Sequence, residues 1–180
     1  MTRYSGAFMA AFNLASTRVL VVGAKGQTGP LMRTVLTAAG LSKVALIDEP
    51  RRALEMLCAE PFDAVFVEAT ARLDDVSFAL AVRRSNLALD PMIPIFAVYS
   101  GARRRDVEQE RDDGITDVIC RPVSPKTIAD KLQVALSAPR PFIAAAGFFG
   151  PDRRAKERPW RGEDRRTLTP KKIKISHSRD

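Results

Sequence analysis

Five short, nearly continuous apolar runs alternate with stretches of helical patterning, and this alternation is what most restricts the fold. The runs are RVLVV (18–22), VALI (44–47), AVFVEA (64–69), IPIFAVY (93–99) and DVIC (117–120). Strands buried on both faces read this way, because no side chain of theirs meets water. Residues 29–39, 50–59, 74–87, 101–112 and 125–137 between and after them are expected to be helices. The last has Ser124 as its cap, Pro125 at the first helical position, and Ile128, Leu132, Ala135 and Leu136 on one face. Five βα units in about 120 residues predict an α/β fold, a doubly wound five-stranded parallel sheet whose ligand crevice lies at the carboxyl ends of the strands.

Over residues 17–137 the sequence resembles the receiver domain of bacterial response regulators, the CheY-like fold. The resemblance rests on VLVVGA where that family ends its first strand in two acids, and AVFVEAT where the phospho-accepting Asp stands. PIFAVYS lies where a Thr or Ser closes the fourth strand, and DVICRPV where the fifth ends in Lys-Pro. The corresponding residues are Gly23, Ala24, Glu68, Tyr99 and Arg121. A Gly-Ala pair offers no carboxylate to a magnesium ion, and Glu68 is one methylene longer than an Asp nucleophile. The expectation is therefore a degenerate phosphorylation site with no metal, in which Glu68 and Arg121 pair constitutively. Val118 occupies the family's aromatic switch position in the fifth strand. The resemblance also implies that the face of the fourth helix, fifth strand and fifth helix docks a protein partner. Arg103, Arg104 and Arg105 at the start of that helix are either a solvated face or part of the contact.

The same turn admits an enzyme reading. Gly23, Gly26 and Gly29 form a G-x-x-G-x-x-G that opens a helix, and Asp48, Arg51 and Arg52 follow the second strand, as in a Rossmann NAD(P) site. The chain lacks the sixth strand and the second mononucleotide half of such a fold. Tyr99 is followed four residues later by Arg103, where short-chain dehydrogenases place Lys. A non-enzymatic protein is the expectation. The thiols Cys58 and Cys120 and the lone His177 have no zinc-ligand spacing.

Charge separates the tail from the body. The chain carries +8 overall, and residues 151–180 hold eleven Lys/Arg against five Asp/Glu, so six of the eight positive charges lie there. The tail, rather than the whole surface, is the part suited to an anion. Prolines 139, 141, 151, 159 and 170 argue against one long helix, and beyond Phe149 little is apolar. A mostly unstructured C-terminal tail, anchored by Phe142, Ile143, Phe148 and Phe149, is the expectation.

That tail contains an internal duplication. Gly150-Pro-Asp152-Arg153-Arg154 recurs twelve residues later as Gly162-Glu-Asp164-Arg165-Arg166, with Arg158, Trp160 and Arg161 between the copies. A generic phosphate binder gains nothing from interleaved acids, which repel the backbone. Guanine accounts for both signs: Arg bonds its O6 and N7, a carboxylate accepts from its N1 and N2 hydrogens, and Arg or Trp stacks on its plane. RNA or DNA binding, assisted by KKIKI (171–175), is the alternative. On these residues the sequence also resembles the Cle proteins, CheY-like effectors of cyclic di-GMP with an arginine-rich C-terminal stretch. The resemblance implies cyclic di-GMP as ligand, bound as an intercalated dimer, and action at the flagellar motor.

The expected organisation is an N-terminal extension (1–16), a degenerate receiver domain (17–137), a linker and anchor (138–149), the cyclic-di-GMP-binding segment (150–170) and a basic tail (171–180). A short apolar N-terminal run interrupted by Asn13 and the lack of a spanning segment lead to a cytoplasmic expectation, with recruitment to the motor at the cell pole implied by the resemblance.

Overall fold

The computed structural model describes residues 13–101, 103–153 and 170–175. Its main body is a parallel sheet of β1 (Arg18–Val22), β2 (Lys43–Ile47), β3 (Ala64–Glu68), β6 (Ile95–Tyr99) and β7 (Asp117–Cys120), in the order β2-β1-β3-β6-β7. Helices α1 (Thr28–Ala38), α2 (Pro50–Ala59), α3 (Phe78–Arg84), α4 (Arg104–Asp112) and α5 (Pro125–Ser137) connect or follow these strands. This is the doubly wound five-stranded parallel sheet that the apolar runs predict, in the CheY-like receiver fold that the resemblance implies.

Strand alternation sorts the core into two layers. Val19, Val21, Phe66, Phe96 and Val98 face α1 and α5, where they meet Met32, Leu36, Ile128 and Leu132. Leu20, Val22, Val65, Ile95 and Ala97 face the other way, onto Ala53 and Leu57 of α2 and Phe78 and Val82 of α3. Both faces are covered, so each strand is apolar at successive positions. Phe66 and Phe96 stack across neighbouring strands with ring centroids 5.1 Å apart.

Two helical expectations need correction. Residues 74–87 do not form one helix, because a small antiparallel ribbon, β4 (Arg72–Leu73) with β5 (Val76–Ser77), precedes α3. Asp74 turns that ribbon with φ +50°, a conformation Asp tolerates better than most residues, and Ser77 then caps α3 by accepting from the Leu80 N–H. The region 101–112 does contain α4, but without an apolar stripe: its buried residue is Glu110. The helix is instead held to the sheet by the bond between Glu110 and Tyr99 and by the buried Ile115 behind it, while Arg104 and Glu108 pair one turn apart on its exposed face.

Beyond α5 the chain builds a second sheet. β8 (Phe142–Ala145) is flanked by β9 (Phe148–Pro151) on one side and β10 (Lys171–Ile173) on the other, both antiparallel to it. The stretch read as linker and anchor thus supplies β8 and the first half of β9, whose second half opens the segment read as binding cyclic di-GMP. The one read as basic tail supplies β10, whose KKI ladder sets Ile173 opposite the buried Phe142.

Phe142 is the hinge of this attachment. Its ring lies 5.4 Å from that of Phe149 and 5.0 Å from the guanidinium of Arg83, a buried residue of α3. Arg83 donates through Nε to the Gly114 carbonyl at 3.0 Å and through a terminal nitrogen to the Pro91 carbonyl at 2.7 Å. Burial pushes its guanidinium down to about 9, with Asp90 opposing the shift. Among the described residues its other terminal nitrogen finds no acceptor. The cation is held by carbonyls and an aromatic face and clamps the second sheet to the first.

Candidate functional site

The structure offers two regions. The first is an open cleft of about 890 Å³ at the carboxyl ends of the parallel strands, bordered by Gly23, Glu68, Tyr99 and Arg121. Four of the five residues singled out there by resemblance therefore meet. Ala24 does not: it is buried in the α1 and α5 layer.

Glu68 ends β3 and Arg121 follows β7. The two guanidinium nitrogens of Arg121 donate to the two carboxylate oxygens of Glu68, one of them at 3.0 Å, and Arg121 also reaches Ser100 Oγ at 2.9 Å. Both side chains are largely buried, at 12% and 21% exposure, so each is the other's main charge compensation. Gly23 has φ +76°, and a Cβ there would lie 2.7 Å from the Ala71 Cβ. No side chain fits at that corner without displacing the β3–β4 connection.

These residues do not suit the magnesium ion that receiver domains use. Position 23 has no room for a ligand, Ala24 points into the core, and Glu68 already serves Arg121. Among the described residues no group of three or more His, Cys, Asp or Glu could hold a metal.

On the other wall, Tyr99 bonds to Glu110 of α4. Burial, reinforced by Asp113, pushes the Glu110 carboxyl up to about 7, and burial followed by the charge of Glu110 pushes the Tyr99 hydroxyl above its ordinary value. A glycine also explains itself at 29, where a Cβ would stand 2.9 Å from the Ala24 carbonyl oxygen. Gly23 and Gly29 thus have packing reasons independent of any dinucleotide, and Gly26 a backbone one, its φ of +57°.

The second region lies where β9 leaves the small sheet. Gly150, Asp152 and Arg153 of the first repeat are described; Arg154, Arg158, Trp160, Arg161, Gly162, Asp164, Arg165 and Arg166 lie outside the described residues. Gly150 is buried, and a Cβ on it would come within 2.8 Å of the Gly114 Cα and 3.0 Å of the Phe148 ring. Close approach of β9 to the turn after α4 requires glycine here.

Asp152 is tied down by its backbone N–H, which donates to the Pro141 carbonyl at 2.8 Å, and its carboxylate lies 3.9 Å from Lys172 Nζ of β10. Arg153 stacks over Phe148 with 4.4 Å from guanidinium to ring centroid, and pairs with Asp112 at the end of α4. Phe148, Asp152, Arg153, Lys172 and Asp112 border an open groove of about 630 Å³. Sequence reasoning missed Asp112 and Lys172 there. The period-two alternation of KKIKI was a signal for the strand that carries Lys172. Nothing local connects Asp112 with a residue 41 positions later.

The fold places the chain among receiver domains in shape. It is similar to the chemotaxis response regulator CheY4 of Vibrio cholerae, with 21% identity, 67% of this chain and 98% of that one covered, and a TM-score of 0.56. A response regulator from Desulfuromonas acetoxidans matches with 16% identity, 67% and 96% coverage and a TM-score of 0.58. The receiver domain of a sensor histidine kinase from Pseudomonas aeruginosa, which has magnesium coordinated in its active-site cleft, matches with 18% identity, 66% and 96% coverage and a TM-score of 0.54. No protein-family profile and no curated protein sequence matches the chain. Among the described residues no helix is long and apolar enough to cross a membrane.

Proposed function

We propose that this chain is a non-enzymatic signalling effector that binds cyclic di-GMP through its duplicated G-x-D-R-R segment, on a receiver-like body that does not undergo phosphotransfer. The observation that carries the reading is the twelve-residue duplication, in which an acid and two arginines recur in the same order. Two equivalent readers suit a ligand with two guanines and two phosphates. The likeness to Cle proteins favours an intercalated dimer of the ligand and an output at the flagellar motor, through the face of α4, β7 and α5.

Energetics support a ligand that engages both copies. A bidentate Arg contributes about 1–3 kcal/mol and a stacked aromatic about 1–3 kcal/mol, against about 2–5 kcal/mol for ordering a binding segment. One copy alone barely breaks even. The placement of β9 and β10 on either side of β8 helps, because both ends of the intervening segment are already held together. Closing a loop of this length from free ends costs on the order of 2–3 kcal/mol.

Calorimetry on the full chain tests the reading. Cyclic di-GMP should bind, and cyclic di-AMP, which lacks the guanine O6 acceptor and N2 donor, should bind far more weakly. Equal binding of the two, or none, overturns it. Nucleic-acid binding, the second reading favoured by the basic charge of the tail, would instead show a steep loss of affinity with salt and no preference for guanine.

A further inference from the structure

Among the described residues Arg153 contacts Phe148 and Asp112, and the second belongs to the receiver-like body. Its guanidinium rests on Phe148 at 4.4 Å and pairs with the Asp112 carboxylate at the C-terminal end of α4. We propose that Asp112 is an intramolecular competitor for the ligand: it holds Arg153 against α4 until the ligand takes the guanidinium, and it is released when the ligand binds. The inference rests on the functional reading above.

Geometry supports competition rather than cooperation. A guanidinium stacked on an aromatic ring keeps its edge free for in-plane hydrogen bonds, and guanine O6 and N7 would use that same edge. The Asp112 carboxylate takes that edge. The stacking on Phe148 does not have to be given up on ligand binding, so the ion pair alone is exchanged.

The contact also has somewhere to send its signal. Asp112 ends the same helix whose Glu110, two residues earlier, bonds to Tyr99 at the mouth of the cleft. β9 touches the same corner, where Gly150 and Gly114 pack at the limit of approach. Releasing Arg153 removes the positive partner from the end of α4, leaves the Asp112 carboxylate to a protein partner, and loosens the hold of the C-terminal sheet on that helix.

The pair is solvent-exposed, with Arg153 at 41% and Asp112 at 62%, so the latch is a weak one. Pairs of this kind shift an equilibrium by up to about fivefold. That size suits a contact that second-messenger binding must break.

The test is titration of the full chain with cyclic di-GMP in three forms: wild type, Asp112→Asn and Glu108→Gln. Both variants remove one negative charge from the same exposed helix, so a general gain in attraction for an anionic ligand is shared by both. Only Asp112→Asn unlatches Arg153. It should tighten binding about two- to fivefold more than Glu108→Gln does, the range open to an exposed ion pair. Equal changes in the two variants overturn the latch. Weaker binding by Asp112→Asn overturns it as well, since Asp112 would then be part of the ligand site. Absence of binding by the wild type instead removes the functional reading on which the latch rests, and the latch with it.

Discussion

The guanidinium of Arg121 spans both carboxylate oxygens of Glu68, 53 residues away, and so fills the position at which a receiver domain of this shape would carry out its chemistry. The cleft remains open, at about 890 Å³, but its central acid is neutralised from within. Acetyl phosphate with magnesium should therefore leave the protein unlabelled by intact mass spectrometry.

Removing one member of this pair should cost more than removing both. Arg121→Ala leaves a largely buried carboxylate without its cation, and a loss of about 1–3 kcal/mol is expected. Glu68→Leu combined with Arg121→Met should be closer to wild type, because a well-packed apolar pair avoids desolvating two charges. Urea unfolding of the three proteins measures the difference.

Glu110 gives the fold a pH dependence. Its carboxyl is raised from 4.5 to about 7 in the folded chain, so the folded state holds a proton that the unfolded state releases. The stability from this protonated carboxyl is full below about pH 4.5 and is lost as pH rises through about 7. Tyr99 is raised too, and acts in the same direction at higher pH. Glu110→Gln should flatten the dependence between pH 5 and 7 in thermal melts while keeping a hydrogen-bonding partner for Tyr99; an unchanged slope counts against the assignment.

Phe142 carries the attachment of the second sheet. It is 2% exposed, and replacing it by Ala removes the face on which the Arg83 cation rests as well as the packing of Phe149. A loss of about 3–5 kcal/mol is expected, as for other buried Phe→Ala changes. Cyclic di-GMP binding by the full chain should weaken with it, because β8 is the strand that brings β9 and β10 together. Denaturation and titration of the same variant check both effects.

The interleaved acids have their own test. Asp164→Asn should narrow the preference for cyclic di-GMP over cyclic di-AMP more than it changes binding of anions in general, since it removes an acceptor for guanine N1 and N2 while making the segment more basic. Competition titrations with the two dinucleotides read this out. An unchanged preference removes the acids from guanine recognition.

Much of the body was legible because its signals are local. Each parallel strand is a short apolar run, and Ser124 with Pro125 marks the start of α5 in sequence as in structure. The errors were also local. Asp74 and Asp75 turn a ribbon inside what reads as one helix, and α4 buries a carboxylate where a helical pattern calls for an apolar residue.

The sequence by itself determined the alternating strands and helices, the loss of acids at Gly23 and Ala24, and the duplicated G-x-D-R-R, because each of these is a property of neighbours along the chain. The pairing of Glu68 with Arg121 is already expected from their places in the resemblance, and only the tertiary structure decided that KKI returns to pair with Phe142–Ala144 and that Arg153 rests on Phe148 against Asp112. Those partners are brought together by the packing of whole sheets and helices. The contact between Gly150 and Gly114 exemplifies the difference: the first appears in sequence as part of a repeat, and its need to be glycine follows from a turn 36 residues earlier that lies 2.8 Å away from the position of a Cβ.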